Sequence, residues 1–158
     1  MKLIKRIFVY LGNGLPPILN TFFYKLSGVK IGSGKNWIGN KCNFDTLFPD
    51  QIIIESNVCI SFGVTLITHF DPTEGINNCK IKNYKSKILI KKGTFIGPNS
   101  TILPGVTIEE NCFIRAGSVV TSSVQKNSIV EGNPGKTIGL MSSKIAGIIN
   151  KKNYDKYF

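Results

Sequence analysis

The sequence predicts an all-β solenoid, a parallel β-helix of triangular coils closed at its ends by short capping segments. Three observations carry that expectation. Ile90, Ile96, Ile102, Ile108, Ile114 and Val120 are β-branched aliphatics at intervals of six. In a chain that is 42% apolar, six apolar residues at fixed spacing arise by chance in under about one per cent of cases. Four positions after each aliphatic stands a small or β-branched residue: Thr94, Ser100, Val106, Cys112, Ser118 and Val124. Between these two columns lie Gly93, Asn99, Gly105, Asn111, Gly117 and Ser123, turn formers of which Gly and Asn accept positive φ most readily. A period of six matches neither the 3.6 of a helix nor a heptad, and the strands are too short and regular for a sandwich. Three strands and three corners make one coil of about eighteen residues, and coils stack into a hexapeptide solenoid.

Taken along the chain, residues 1–28 read as an N-terminal arm. Lys2, Lys5 and Arg6 accompany the apolar run Ile7 to Leu11, which Gly12, Gly14, Pro16 and Pro17 interrupt. The run is far short of the ~20 residues a membrane span needs, and no signal-peptide cleavage pattern follows. A basic, apolar segment suits peripheral contact with an anionic membrane surface. Because Pro16 and Pro17 would cut an amphipathic helix short, the favoured reading is a packing arm that caps one end of the solenoid. Residues 29–138 read as the β-helix. Ile31, Ile38 and Phe44 give an imperfect start, and Ile54, Ile60 and Leu66 restore the aliphatic column. Leu66 and Ile90 are twenty-four residues apart, four whole units, so the phase survives although Pro72, Asn78 and Tyr84 occupy the column between them. Residues 70–87 are therefore read as a loop ejected from the coil. An uncovered solenoid end exposes strand edges and apolar surface. Residues 139–158 are read as a C-terminal tail that covers the second end, with a short helix after Ser142 or Ser143.

Composition bounds the partners. Twenty Lys and Arg against nine Asp and Glu give a net charge of +11, which favours anionic ligands or surfaces. The basic residues are scattered and no helix-turn-helix, zinc-finger or RNA-binding signature appears, so nucleic acid is not expected. Cys42, Cys59, Cys79 and Cys112 show no CxxC spacing, and with His69 the only histidine a zinc-finger ligand set cannot be assembled. They read as reduced thiols of a cytoplasmic protein.

The segment from Ile90 to Ile138 reads IKKGTFIGPNSTILPGVTIEENCFIRAGSVVTSSVQKNSIVEGNPGKTI. It resembles the hexapeptide-repeat acyltransferases, the family of serine, maltose, galactoside and surface-polysaccharide acetyltransferases. The matches are IGPNSTILPGVTI, RAGSVVTSSV and the closing GNPGKTI, and ITHFDP (67–72) is similar to the family's catalytic-histidine segment. The resemblance spans roughly residues 29–139. It implies a left-handed coil, a homotrimer, and acetyl-CoA bound in clefts between subunits, with no metal. It also implies coenzyme contacts at Pro98, Ala116, Thr121, Ser122 and Lys136. The chain has Ser122 where relatives often carry Lys, and lacks a basic residue near Gly139; Lys126 is the candidate substitute. The apolar, basic N-terminus resembles that of enzymes acting on surface polysaccharides, which points to a sugar hydroxyl as acceptor and to work at the inner membrane surface.

His69 is the candidate catalyst. Counted from Leu66 it falls in the turn column, at the mouth of the ejected loop, so a corner position in a turn conformation is expected. Transfer from a thioester needs a base that removes the proton of an attacking hydroxyl or amine and returns it to the departing thiolate. Asp71, two residues after His69, and Asp45, a coil and a half earlier, are both candidates to orient the imidazole. Family resemblance places Asn43 and Asp45, with Asp71, on the acceptor side. Each is equally readable as a turn residue. Two rivals remain. A γ-type carbonic anhydrase shares the coil but needs three histidines per zinc, which one peripheral His69 does not supply. A non-catalytic scaffold would keep the fold and use the basic surface for binding.

Overall fold

Two- or three-residue strands cannot bury a face alone; here they do so by stacking on copies of themselves. The computed structural model describes residues 2–14, 17–70 and 84–141. Three parallel sheets form the faces of a triangular prism. The first face stacks Lys30–Ile31, Ile52–Ile54, Ile88–Ile90 and Thr107–Ile108. The second stacks Trp37–Ile38, Cys59–Ile60, Phe95–Ile96, Phe113–Ile114 and Ser128–Glu131, and ends on the antiparallel strand Lys136–Leu140. The third stacks Asn43–Phe44, Thr65–Leu66, Thr101–Ile102 and Val119–Val120.

Each strand points its second or third residue inward. Ile54, Ile60, Leu66, Ile90, Ile96, Ile102, Ile108, Ile114 and Val120 are all at most 2% exposed. Full burial of such a side chain stabilises by about 1.5–3 kcal/mol, so this column supplies most of the core. The small column is buried too, and its polar members are satisfied locally. Thr94 Oγ1 donates to the Glu109 carbonyl at 3.0 Å and Ser100 Oγ to the Arg115 carbonyl at 3.0 Å. A larger apolar residue there would leave no room for the corner to close. At the turn column, Asn57, Asn99 and Asn111 sit at φ 57°, 56° and 54°, and Gly63, Gly93, Gly105 and Gly117 at φ 69–84°. Their small or amide side chains tolerate this left-handed region.

At the N-terminal end, α1 (Lys2–Gly14) and α2 (Pro17–Ser27) cover the first coil. The Tyr24 ring stacks on Phe44 at 4.2 Å, its hydroxyl donates to the Cys42 carbonyl at 3.0 Å, and Asn20 Nδ2 donates to the Gly39 carbonyl at 3.2 Å. The first helix ends at Gly14, short of the prolines as expected, but a second helix, not expected from the sequence, starts at Pro17, because proline at the first helical position costs no hydrogen bond. α1 spans thirteen residues and leaves Leu3, Ile4, Ile7 and Leu11 exposed.

At the other end, the strand Lys136–Leu140 runs past the boundary at 138 that the sequence suggested. The helix expected after Ser142 or Ser143 lies outside the described residues. In mid-chain the ejected segment leaves the coil after Thr68. His69–Phe70 and Tyr84–Lys85 pair as an antiparallel ribbon, and Ile54 pairs with Ile90 across it. The solenoid resumes in phase because the excursion equals one whole coil.

Candidate active site

The period breaks twice, and both breaks fall on the same vertical edge, between the third and first faces. In the later coils this corner is four residues, Leu103 to Val106, with Gly105 at φ 84°. In the first coil it swells to Asp45–Gln51 and contains a 3-10 turn, Pro49–Gln51. In the second coil it opens into the ribbon of His69–Phe70 and Tyr84–Lys85. Stacking sets one break directly against the other: Phe44 pairs with Leu66, and the Asp45 N–H bonds the Leu66 carbonyl at 3.0 Å.

Asp45 organises the junction. Its Oδ1 accepts the backbone N–H groups of Leu47 at 2.9 Å and Phe48 at 3.2 Å, an Asx turn that shapes the enlarged corner. Its Oδ2 accepts the Thr68 N–H at 3.0 Å, the Thr68 hydroxyl at 2.6 Å and His69 Nδ1 at 2.5 Å. The Asp45 side chain is 2% exposed and that of His69 23%. Burial would push the Asp45 carboxyl up. The hydrogen bonds from the Thr68 hydroxyl, His69 and the Thr68 and Leu47 N–H groups outweigh it and hold the carboxyl below its ordinary range. An ionised carboxylate only accepts, so Nδ1 carries a proton, and in the neutral ring Nε2 presents its lone pair. Among the described residues, Nε2 makes no hydrogen bond. Phe48 packs edge-on to the imidazole with centroids 5.2 Å apart and fixes the ring plane.

One expectation is corrected here. His69 was placed in a turn conformation because its column carries turn residues. It instead lies in an extended strand, since the chain continues outward into the ribbon rather than closing the corner. The corner location itself holds.

The remaining described candidates are spread over four places. Asn43 is exposed on the outer side of the third face, two residues before Asp45. Asp71 lies outside the described residues. Pro98 and Ala116 stack one coil apart at the corner between the second and third faces, where the Gly117 N–H bonds the Pro98 carbonyl at 2.8 Å. Thr121 and Ser122 are exposed on the His69 edge, above Leu103 to Val106 in the next coil. Lys136 is exposed on the antiparallel strand opposite Glu131. Lys126, the proposed substitute cation, is bound to Glu110 at 2.6 Å. The chain therefore joins Asp45 to His69 but leaves Pro98 and Ala116 on a different edge. Thr68 and Phe48 were not singled out from sequence. The signal was countable: ten residues separate Phe44 from Ile54 where six are expected.

Residues 87–122 match the family described as bacterial transferase hexapeptide (six repeats). Protein CapG of Staphylococcus aureus is 39% identical over 129 residues, which cover 75% of this chain and 74% of that protein. The galactoside O-acetyltransferase of Escherichia coli K12 is 31% identical over 140 residues, 87% of this chain and 66% of that one. The chain spans 64–66% of the length of this enzyme and two similar relatives, one from Bacillus subtilis and one from Saccharomyces cerevisiae. A galactoside acetyltransferase solved in complex with coenzyme A superimposes with a TM-score of 0.66 at 21% identity, covering 92% of this chain and 82% of that one. The shared fold gives the coil its sense, a left-handed parallel β-helix. On its repeat, its fold and its match to CapG, the chain belongs to the bacterial hexapeptide-repeat transferase family.

Proposed function

We propose that the protein is an acyl-CoA-dependent O-acetyltransferase that moves an acetyl group from acetyl-CoA to a hydroxyl, less readily an amine, of a sugar in a surface polysaccharide. The observation that carries this reading is the hydrogen bond from His69 Nδ1 to the buried Asp45 at 2.5 Å, with Nε2 open at the edge of the coil. In the reaction, Nε2 takes the acceptor proton as the oxygen attacks the thioester carbonyl. The tetrahedral intermediate expels the thiolate of coenzyme A, which takes the proton back from Nε2. Asp45 stays ionised, holds the tautomer and stabilises the transient imidazolium. Thr68 keeps Asp45 in place through two hydrogen bonds.

Pro98, Ala116, Thr121, Ser122 and Lys136 are assigned to the coenzyme, with Lys136 on its phosphates. The separation of Pro98 and Ala116 on one edge from Thr121 and Ser122 on another supports a homotrimer, in which a neighbour's Pro98–Ala116 corner completes the cleft at His69. Asn43, and Asp71 from the loop, are assigned to the acceptor side; Asp45 is reassigned from acceptor contact to positioning of His69. Action on a sugar hydroxyl is supported by the similarity to a galactoside O-acetyltransferase. Among the described residues, no helix is long and apolar enough to cross a membrane. The exposed Leu3, Ile4, Ile7 and Leu11 beside Lys5 and Arg6 support peripheral contact with the inner membrane surface from the cytoplasmic side.

The test is thiol release from acetyl-CoA, with mass spectrometry of the products, across sugars, oligosaccharides, amino acids and amines. Acetylated sugar made by the parent and not by His69→Ala supports the reading. A parent that binds glycans without releasing thiol under any condition contradicts it in favour of the scaffold.

A further inference from the structure

We propose that Lys85 is an anion-recognising residue on the acceptor side, and that the acceptor sugar carries a carboxylate. This deepens the acetyltransferase reading and rests on it. The ribbon sets Lys85 directly opposite His69, so the two side chains leave the same face of an antiparallel pair. The Lys85 ammonium lies 4.6 Å above the centroid of the Phe48 ring, and His69 meets the same ring at 5.2 Å. One aromatic side chain thus fixes both the imidazole and a cation at its borders.

Among the described residues, nothing neutralises that cation. An aromatic face orients an ammonium without neutralising it. Among the described residues, no carboxylate lies within ion-pair distance of Lys85. Asp45, a carboxylate of the same edge, is 2% exposed and already accepts five hydrogen bonds. Asp50 accepts from Gln51 Nε2 at 2.7 Å. Lys91, Lys92, Arg115 and Lys126 hold glutamates. Lys85, like Lys30, Lys35, Lys41, Lys87 and Lys136, makes no ion pair among the described residues, and of these it is the one paired across the ribbon from His69. Lys85 is exposed beside the open imidazole. A uronate or sialate carboxylate bound there would leave a hydroxyl of the same or the adjacent sugar free to approach Nε2.

The experiment compares the parent, Lys85→Gln and Lys85→Arg on matched acceptors, neutral galacto-oligosaccharides and galacturonate oligosaccharides, with direct binding of both sets by calorimetry. The parent is expected to favour the acidic set. Lys85→Gln is expected to lower the acidic-to-neutral ratio of kcat/KM by about tenfold, the size of a lost charge-assisted hydrogen bond, mainly through KM, and Lys85→Arg to restore most of it. Equal losses on both sets, or a parent that favours neutral acceptors, would overturn the proposal. Absence of thiol release by the parent on every acceptor refutes the acetyltransferase reading instead. In that case calorimetry decides on Lys85: acidic oligosaccharide bound by the parent and released by Lys85→Gln supports it, and equal binding by both, or by neither, overturns it.

Discussion

The coils from Ile88 to Val124 and the edge formed by Asp45–Gln51 and His69–Lys85 are built from one repeat and do opposite things with it. In the regular coils each corner closes in four residues, the Thr94 and Ser100 hydroxyls bond carbonyls of the next coil, and successive strands pair eighteen residues apart, as Ile90 with Ile108. Along the edge the pairing distance grows to twenty-two for Phe44 and Leu66 and thirty-six for Ile54 and Ile90. The extra residues do not disturb the aliphatic stack, because they leave at a corner and the strands on either side still pair with their neighbours. The regular part supplies rigidity, and the interrupted part spends it on an imidazole held between a buried carboxylate and an aromatic edge.

Substitutions in the two regions should therefore separate stability from chemistry. His69→Ala should cost the most activity, ~10²–10⁴ in kcat/KM, the range for a lost general base, with the thermal midpoint nearly unmoved. Comparing thiol release with thermal unfolding checks both halves. Ile102→Ala, in the regular stack, should do the reverse. Its side chain is fully buried, so unfolding in urea should show a loss of about 2–5 kcal/mol while the folded fraction keeps its specific activity. If Ile102→Ala disabled the folded enzyme, the separation would be broken.

Asp45→Asn crosses the boundary. Removing a charged hydrogen-bond acceptor should cost about 1.5–3 kcal/mol of transition-state stabilisation, seen in kcat more than in KM. It should also alter acid stability. The Asp45 carboxyl is held below its ordinary value of 3.8, so its contribution is complete above that pH and disappears as pH falls through the lowered native value. Acid unfolding followed by circular dichroism should be less steep below about pH 4 in Asp45→Asn. Gly105→Ala should have the smallest effect. Gly105 sits at φ 84°, and a Cβ there would lie 2.9 Å from the Tyr84 hydroxyl in the ribbon. A loss of about 1–2 kcal/mol is expected from the backbone alone, read by urea unfolding.

The regular coils were legible because their physics is local and periodic: Ile90 to Val120 need the same residue in every unit, and counting finds them. His69 was legible as a corner residue by the same count. Its extended backbone was not, since the column predicts a turn and the ribbon overrides it. The role of Asp45 was left open against Asp71 because twenty-four residues separate it from His69, and only the stacking of two enlarged corners brings them together. Lys85 was legible only as one of several lysines in an ejected loop whose basic character suits an acidic glycan at the acceptor site; the strand pairing that sets it opposite His69 was not. The second N-terminal helix was missed because Pro16 and Pro17 were weighed as breakers within one helix and not as the start of another.

The direct measurement uses the fact that His69 is the chain's only histidine. In nitrogen-15 labelled protein, the two ring nitrogens of the neutral imidazole give one unambiguous pair of signals. The account predicts a protonated Nδ1 and a bare Nε2 in the parent, with that preference lost in Asp45→Asn. A parent imidazole protonated at Nε2, or one averaging freely between tautomers, would contradict it.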